Sequence, residues 1–122
     1  MPELPEVETV RSTLSKLVIG KKVSSVDVRF EKMIKNTDVL NFEDTLTDQT
    51  IKSIRRYGKY LFFDFDKNTL VSHLRMEGKY NYYNQLVEPS KHDHVIFYFT
   101  DEPIMSYGAL EHSYSSFYYM PE

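Results

Sequence analysis

Pro2 and Glu3, at the head of "MPELPEVETVR", are the residues of this 122-residue chain best suited to direct chemistry. Initiator methionine is generally removed when a small residue such as proline follows, and the Pro2 nitrogen then becomes a secondary amine. Such an amine attacks an aldehyde or a sugar anomeric carbon and forms an iminium, the logic of covalent amine catalysis. A carboxylic acid beside it can protonate a leaving group or the opened sugar oxygen. Glu3 is adjacent, and Glu6 falls at the edge of an apolar arc, where partial burial raises a carboxyl pKa. With Met1 retained, the Pro2 nitrogen is an amide and this chemistry is closed to it. The same residues also read as an ordinary helix start, and spacing alone favours that plainer reading.

Three further stretches carry groups that could act on a ligand. In "RRYGKYLFF", Arg55, Arg56 and Lys59 surround Gly58, which places three cations on a tight turn between two strands. A hairpin tip of that kind can push an ammonium toward a phosphate or into a pocket. Cations also commonly blunt sheet edges, so both readings stand. "SHLRMEGKY" sets His73, Arg75 and Met76 ahead of Gly78. A Met exposed on a turn can wedge between bases, although Met more often fills gaps in cores. "KHDHV" puts Lys91 and His92 at the approach to a strand, within reach of phosphate or simply in a polar loop. His92 and His94 make a weak metal signal, and with no Cys there is neither a disulfide framework nor a thiolate metal site.

The elements that must position these groups follow from periodicity. In "PELPEVETVRSTLSKLVIG", Leu4, Val7, Val10, Leu14, Leu17 and Val18 recur at spacings of three and four, which predicts a helix. Pro5 suits its first turn, the early Glu3, Glu6 and Glu8 and the late Lys16 match the helix dipole, and Gly20 ends it. "KVSSVDVRF" alternates imperfectly, as a strand with a bulge does, and "NFEDTLTDQ" reads as a short helical or turn segment. "TIKSIRRY", "KYLFFDF", "NTLVSHLRM", "GKYNYYNQ" and "DHVIFYFT" are strand candidates rich in β-branched and aromatic residues. Gly58, residues 66–68 and Gly78 punctuate them as turns. The expected fold is α+β, an N-terminal helix followed by an antiparallel β-sandwich.

Composition sets the outer bounds. The length suits one domain with a real core, and 41% hydrophobic residues with ten Tyr and eight Phe point to an ordered chain. No apolar run is long enough to span a bilayer. The net charge of −3 runs against the basic balance usual in nucleic-acid binders.

Taken together, "MPELPEVETVR", "RRYGKYL", "SHLRMEGKY" and "KHDHVIFYF" occur in the order and approximate spacing of the bacterial formamidopyrimidine-DNA glycosylases, over roughly residues 1 to 100. The chain resembles the N-terminal catalytic domain of these helix–two-turns–helix enzymes. The resemblance implies excision of oxidised purines (8-oxoguanine, formamidopyrimidines) from damaged double-stranded DNA in base excision repair, followed by strand cutting as an abasic-site lyase. Pro2 then corresponds to the Schiff-base nucleophile on deoxyribose C1′, Glu3 to the proton donor and acceptor, and Glu6 to a residue organising the site. Lys59 matches the hairpin lysine that contacts DNA and takes part in the lyase steps. Met76 matches the residue inserted into the gap left by the flipped nucleotide, and His92 a phosphate contact, with Arg56 and His73 beside them on the DNA. Flipping is needed because the sugar and base cannot be attacked inside the stack. "PELPEVET" and "HLRM" look closer to the oxidised-purine branch than to the endonuclease VIII branch, whose opening carries Gly in place of Leu4.

Family members follow the last of these strands with a Tyr-x-Asp-x-Arg-x-Phe-Gly segment. Here Tyr107 matches the Tyr, whereas Ala109, Glu111 and Ser113 stand in place of Asp, Arg and Phe. Residues 1–122 are therefore expected to form the glycosylase catalytic domain with an atypical tail at about 101–122. The family's C-terminal helix–two-turns–helix and zinc-finger domain is expected to be absent. No metal or cofactor is then expected in this chain, DNA binding by the chain alone should be weak, and no membrane partner is implied. The implied setting is the bacterial cytoplasm, near the nucleoid; the oligomeric state is left open. The alternative is a non-catalytic remnant of the family with little DNA binding, acting as an interaction domain.

Overall fold

The computed structural model describes residues 4–74, 78–108 and 116–121. In chain order it contains α1 (Leu4–Val18), β1 (Val23–Val28), a 3-10 turn (Glu31–Met33), β2 (Ile34–Lys35) and α2 (Val39–Leu46). These are followed by β3 (Ser53–Tyr57), β4 (Tyr60–Asp64), β5 (Asn68–His73), β6 (Lys79–Tyr83), β7 (Asp93–Phe99), β8 (Ile104–Gly108) and β9 (Ser116–Pro121).

Along α1, Val7, Leu14 and Val18 are buried while Thr13 and Lys16 face water, as a 3.6-residue period requires. The helix stops where Gly20 takes φ +90°, a left-handed conformation that costs glycine little. The Gly20 N–H donates to the Ile51 carbonyl at 2.8 Å, so the helix end is tied directly to the chain entering β3. In α2 the Asp38 carboxylate caps the first turn by accepting from the Asn41 N–H at 2.8 Å.

Two sheets form the sandwich. One has four strands in the order β1-β7-β8-β6, and the other five in the order β2-β9-β5-β4-β3. Most neighbours are antiparallel, while the two-residue β2 runs parallel to β9. The imperfect alternation in β1 is a register shift against β7 between Val23 and Ser25. Ile54, Leu61, Phe63 and Leu70 of one sheet meet Val26, Val95, Phe97, Met105 and Tyr107 of the other in one core, which Val7, Leu14, Phe42 and Leu46 close from the helices. A polar tie joins the layers: the Tyr80 hydroxyl bonds the Ser72 hydroxyl at 2.7 Å, and its ring packs 5.5 Å from Phe63.

The helix-then-sandwich architecture agrees with the sequence expectation, and three strands go beyond it, the two-residue β2 among them. "IMSYG" is buried along its whole length as β8, between β6 and β7. Residues 116–121 form β9, which pairs with β5 from Asn68 to His73 and so closes the larger sheet.

Candidate active site

Pairing registers bring the functional stretches to one end of the sandwich. Tyr57 pairs with Tyr60 across the turn, and Tyr60 pairs with His73 at the end of β5. The next turn leaves from there: the Leu74 carbonyl accepts the Gly78 N–H at 3.1 Å, pinching together the two ends of the segment that holds Met76. In the facing sheet, Lys79 pairs with Gly108 and Gly108 with Asp93, which puts the His92 approach at this same end.

The β3–β4 turn is built by glycine. Gly58 has φ +59° and Lys59 does not share a positive φ, the pattern of a II′ hairpin turn. The Arg56 Nη1 donates to the Gly58 carbonyl at 2.9 Å and stiffens the turn that presents Lys59. Alternation along β3 sends Arg55 and Arg56 to opposite faces. Arg55 lies on the outer face, bidentate to Asp64 at 2.6 and 2.8 Å and 5.0 Å from the centre of the Phe62 ring. Arg56 lies on the inner side, where its Nε donates to Glu8 of α1 at 3.0 Å.

Glu8 joins the helix to the hairpin. Its carboxylate accepts from Arg11 Nε at 2.9 Å and Nη2 at 2.5 Å as well as from Arg56, and Arg11 Nη1 reaches the Ile54 carbonyl of β3 at 3.4 Å. Hydrogen bonds from Arg11 first, and Arg56 second, hold the Glu8 carboxyl down at about 2. Sequence reading gave Glu8 only a helix-dipole role. The signal available locally was its i,i+3 spacing to Arg11; nothing local points to Arg56.

The anticipated residues are placed as follows. Lys59 is half-buried on the turn, Arg56 is clamped to Glu8, and His73 stacks on Tyr60 with ring centres 4.5 Å apart. Glu6 is exposed on α1, not partly buried as its place on the arc suggested, because the buried stripe there runs through Val7. The backbone N–H of His92 donates to the Ser90 hydroxyl at 3.0 Å, and its carbonyl lies against Gly108, where an added Cβ would stand 2.2 Å away. His94 is buried with its ring 5.1 Å from Phe30, a packing role and not a ligand's. Pro2, Glu3 and Met76 lie outside the described residues. Among the described residues no three His, Asp or Glu gather as metal ligands, and no helix is long and apolar enough to cross a membrane.

Residues 1–109 match the formamidopyrimidine-DNA glycosylase N-terminal domain. The chain belongs to that family. The formamidopyrimidine-DNA glycosylase of Cytobacillus firmus is 54% identical over 108 residues, covering 88% of this chain and 39% of that protein. The Streptococcus pneumoniae R6 protein of the same name is 50% identical over 117 residues, 91% of this chain and 42% of that one. Among solved structures, the Lactococcus lactis glycosylase non-covalently bound to DNA containing an AP site aligns with a TM-score of 0.90 at 36% identity, over 98% of this chain and 45% of that chain. A complex of the L. lactis protein with DNA containing FAPY-dG aligns with a TM-score of 0.90 at 37% identity, over 98% and 44%. The chain thus spans about two fifths of the length of the curated relatives it matches.

Proposed function

We propose that this domain carries the catalytic centre of a bifunctional DNA glycosylase and abasic-site lyase that removes oxidised purines in bacterial base excision repair. The observation that carries the reading is the clamp between the helix that follows Pro2 and Glu3 and the turn that presents Lys59. Glu8 holds Arg56, and Arg56 holds the Gly58 carbonyl. The start of α1, one residue after Glu3 in the sequence, and the turn that carries Lys59 thus belong to elements fixed to each other, as positioning catalysis requires.

In this scheme the Pro2 amine attacks C1′ of the deoxyribose and the damaged base leaves with a proton. The C1′–O4′ bond then opens, O4′ takes a proton, and the Pro2 nitrogen lone pair forms the C1′ iminium. The resulting iminium acidifies the C2′ hydrogen, and loss of that proton drives elimination of the 3′ phosphate. A second elimination releases the 5′ phosphate, and water returns the amine. Glu3 supplies and accepts the protons, Glu6 organises the site, and Lys59, Arg56, His73, Met76 and His92 meet the DNA. The two L. lactis complexes, one with AP-site DNA and one with FAPY-dG DNA, support damaged DNA as the partner. The bacterial cytoplasm follows as the setting.

Borohydride trapping on duplex DNA with one abasic site tests this, using protein whose N-terminal mass shows Met1 removed. The expected result is a covalent adduct that disappears in Pro2→Gly. No adduct at high protein concentration and low salt would overturn the catalytic reading and leave an interaction domain of the same fold. Glu111 and Ser113, which stand where the family pattern has Arg and Phe, are the residues that favour that second reading.

A further inference from the structure

The outer face of the five-stranded sheet carries a row of rings that the proposed chemistry does not use. Cross-strand pairing aligns Tyr57, Tyr60 and His73 on neighbouring strands, and side chains of directly opposed residues share one face. Tyr60 and His73 already stack, their planes within 22°. Tyr57 extends the row to the hairpin tip, where it is 78% exposed, although a large ring gains most by burial. One step along the strands, Phe62 lies beneath the Arg55 guanidinium on the same face.

Charge selects the occupant. From Ser53 to Asp64 the hairpin bears three cations against the single acid Asp64, in a chain of net charge −3. Arg55 pairs with Asp64 and Arg56 with Glu8 of α1, and Lys59 is the cation of the turn itself. A flat, exposed ring at the tip of a locally cationic hairpin suits a partner that is both planar and anionic. An unstacked nucleobase on its phosphate backbone meets both requirements, whereas an apolar protein face meets only the first.

We propose that Tyr57, backed by the Tyr60–His73 stack, is a base-stacking platform for unpaired nucleotides, with Lys59 of the adjoining turn facing the neighbouring phosphates. The proposal rests on the reading of this end of the sandwich as a nucleic-acid site, and it assigns that site an unpaired strand beside the reacting sugar. Such a platform captures nucleotides left unstacked around a lesion. It tolerates any sequence, because every base offers a π-face.

The test compares two end-labelled oligomers of equal length by fluorescence anisotropy at low salt: oligothymidylate, and the same backbone built of base-free tetrahydrofuran units. The intact chain should bind the thymidylate oligomer at least fivefold more tightly than the base-free one. Tyr57→Ala should abolish that preference while leaving base-free binding within twofold, and Tyr57→Phe should retain it. Because Tyr57 is exposed, its variants should melt with the parent chain, which the same samples can verify. Equal affinity of the intact chain for both oligomers overturns the platform, as does a preference that survives Tyr57→Ala. Loss in Tyr57→Phe as great as in Tyr57→Ala also overturns it, since a stacking ring remains. A retained abasic-site adduct in Tyr57→Ala, together with an unchanged base preference, would sink the platform alone. A base preference lost in Tyr57→Ala, with no adduct from the parent chain, would sink only the lyase reading.

Discussion

Replacing Asp64 by Asn should destabilise the domain by an amount that depends on pH. The Asp64 carboxylate accepts from Arg55 at 2.6 and 2.8 Å, from the Ser53 hydroxyl at 2.7 Å and from the Thr69 hydroxyl at 2.8 Å, so it ties β3, β4 and β5 together. Arg55 foremost holds its carboxyl down from 3.8 to about 2, against the opposing effect of burial. At about 1.36 kcal/mol per pH unit, that difference corresponds to roughly 2.4 kcal/mol. The Arg55 side chain is 58% exposed, so screening reduces the net contribution to about 1 to 1.5 kcal/mol. The folded-state value is depressed, so the contribution is complete above the unfolded value of 3.8 and is lost as pH falls toward 2. Urea unfolding of Asp64→Asn at pH 7 should show a midpoint lower by about 0.3 to 1.5 M, for a slope of about 1 to 3 kcal/mol per M. Near pH 3 about half the difference from the parent chain should remain. A midpoint difference equally large at both pH values would refute an electrostatic origin and leave only altered packing.

Glu8→Gln should slow single-turnover adduct formation about tenfold or more, since small misplacements of reacting groups are costly. Its melting temperature should change little, because the carboxylate is 43% exposed; an unchanged trapping rate would show that the clamp positions nothing. Gly78→Ala should cost about 1 to 3 kcal/mol, because the new Cβ would stand 2.1 Å from the Tyr107 hydroxyl and 2.4 Å from the Leu74 carbonyl. Adding Tyr107→Phe should recover only part of that loss in thermal unfolding, since the carbonyl contact remains. Phe42→Ala, which empties a fully buried site on α2, should cost about 3 to 5 kcal/mol in urea. Gly58→Ala meets no neighbouring atom yet forces alanine to φ +59°, so it should lose about 1 to 2 kcal/mol from strain alone, whereas Gly58→Asn should lose less.

What could be foreseen from the sequence divides along a physical line. The helix over Leu4–Val18 was legible because a period of 3.6 and a terminal glycine are local facts, and a tight turn at Gly58 was legible for the same reason, though not its type. β8 was not, because "IMSYG" has neither alternation nor length to declare a strand. Its full burial comes from lying between β6 and β7, strands that begin about 25 and about 11 residues earlier. β9 is a stronger case: its partners are residues 68–73 on one side and Ile34 and Lys35 on the other, so its place in the sheet is decided by chain closure and not by its own residues.

The candidate site divides in the same way. Lys59, Arg56 and His73 stood out as residue types at a turn, and pairing registers do gather them at one end of the sandwich. The agent that fixes the hairpin to the helix did not stand out. Glu8 and Arg56 are 48 positions apart, and each has an innocent local explanation: a helix-dipole acid in one case, an edge-strand cation in the other. Only the packing of α1 on β3 turns two ordinary surface charges into a clamp between helix and hairpin. Glu6, two residues before Glu8, faces water instead, so a shift of two positions along one helix separates a solvated carboxylate from a clamped one. Residue type names the charges available at this end of the molecule, and the helix–hairpin contact determines which of them are held in place.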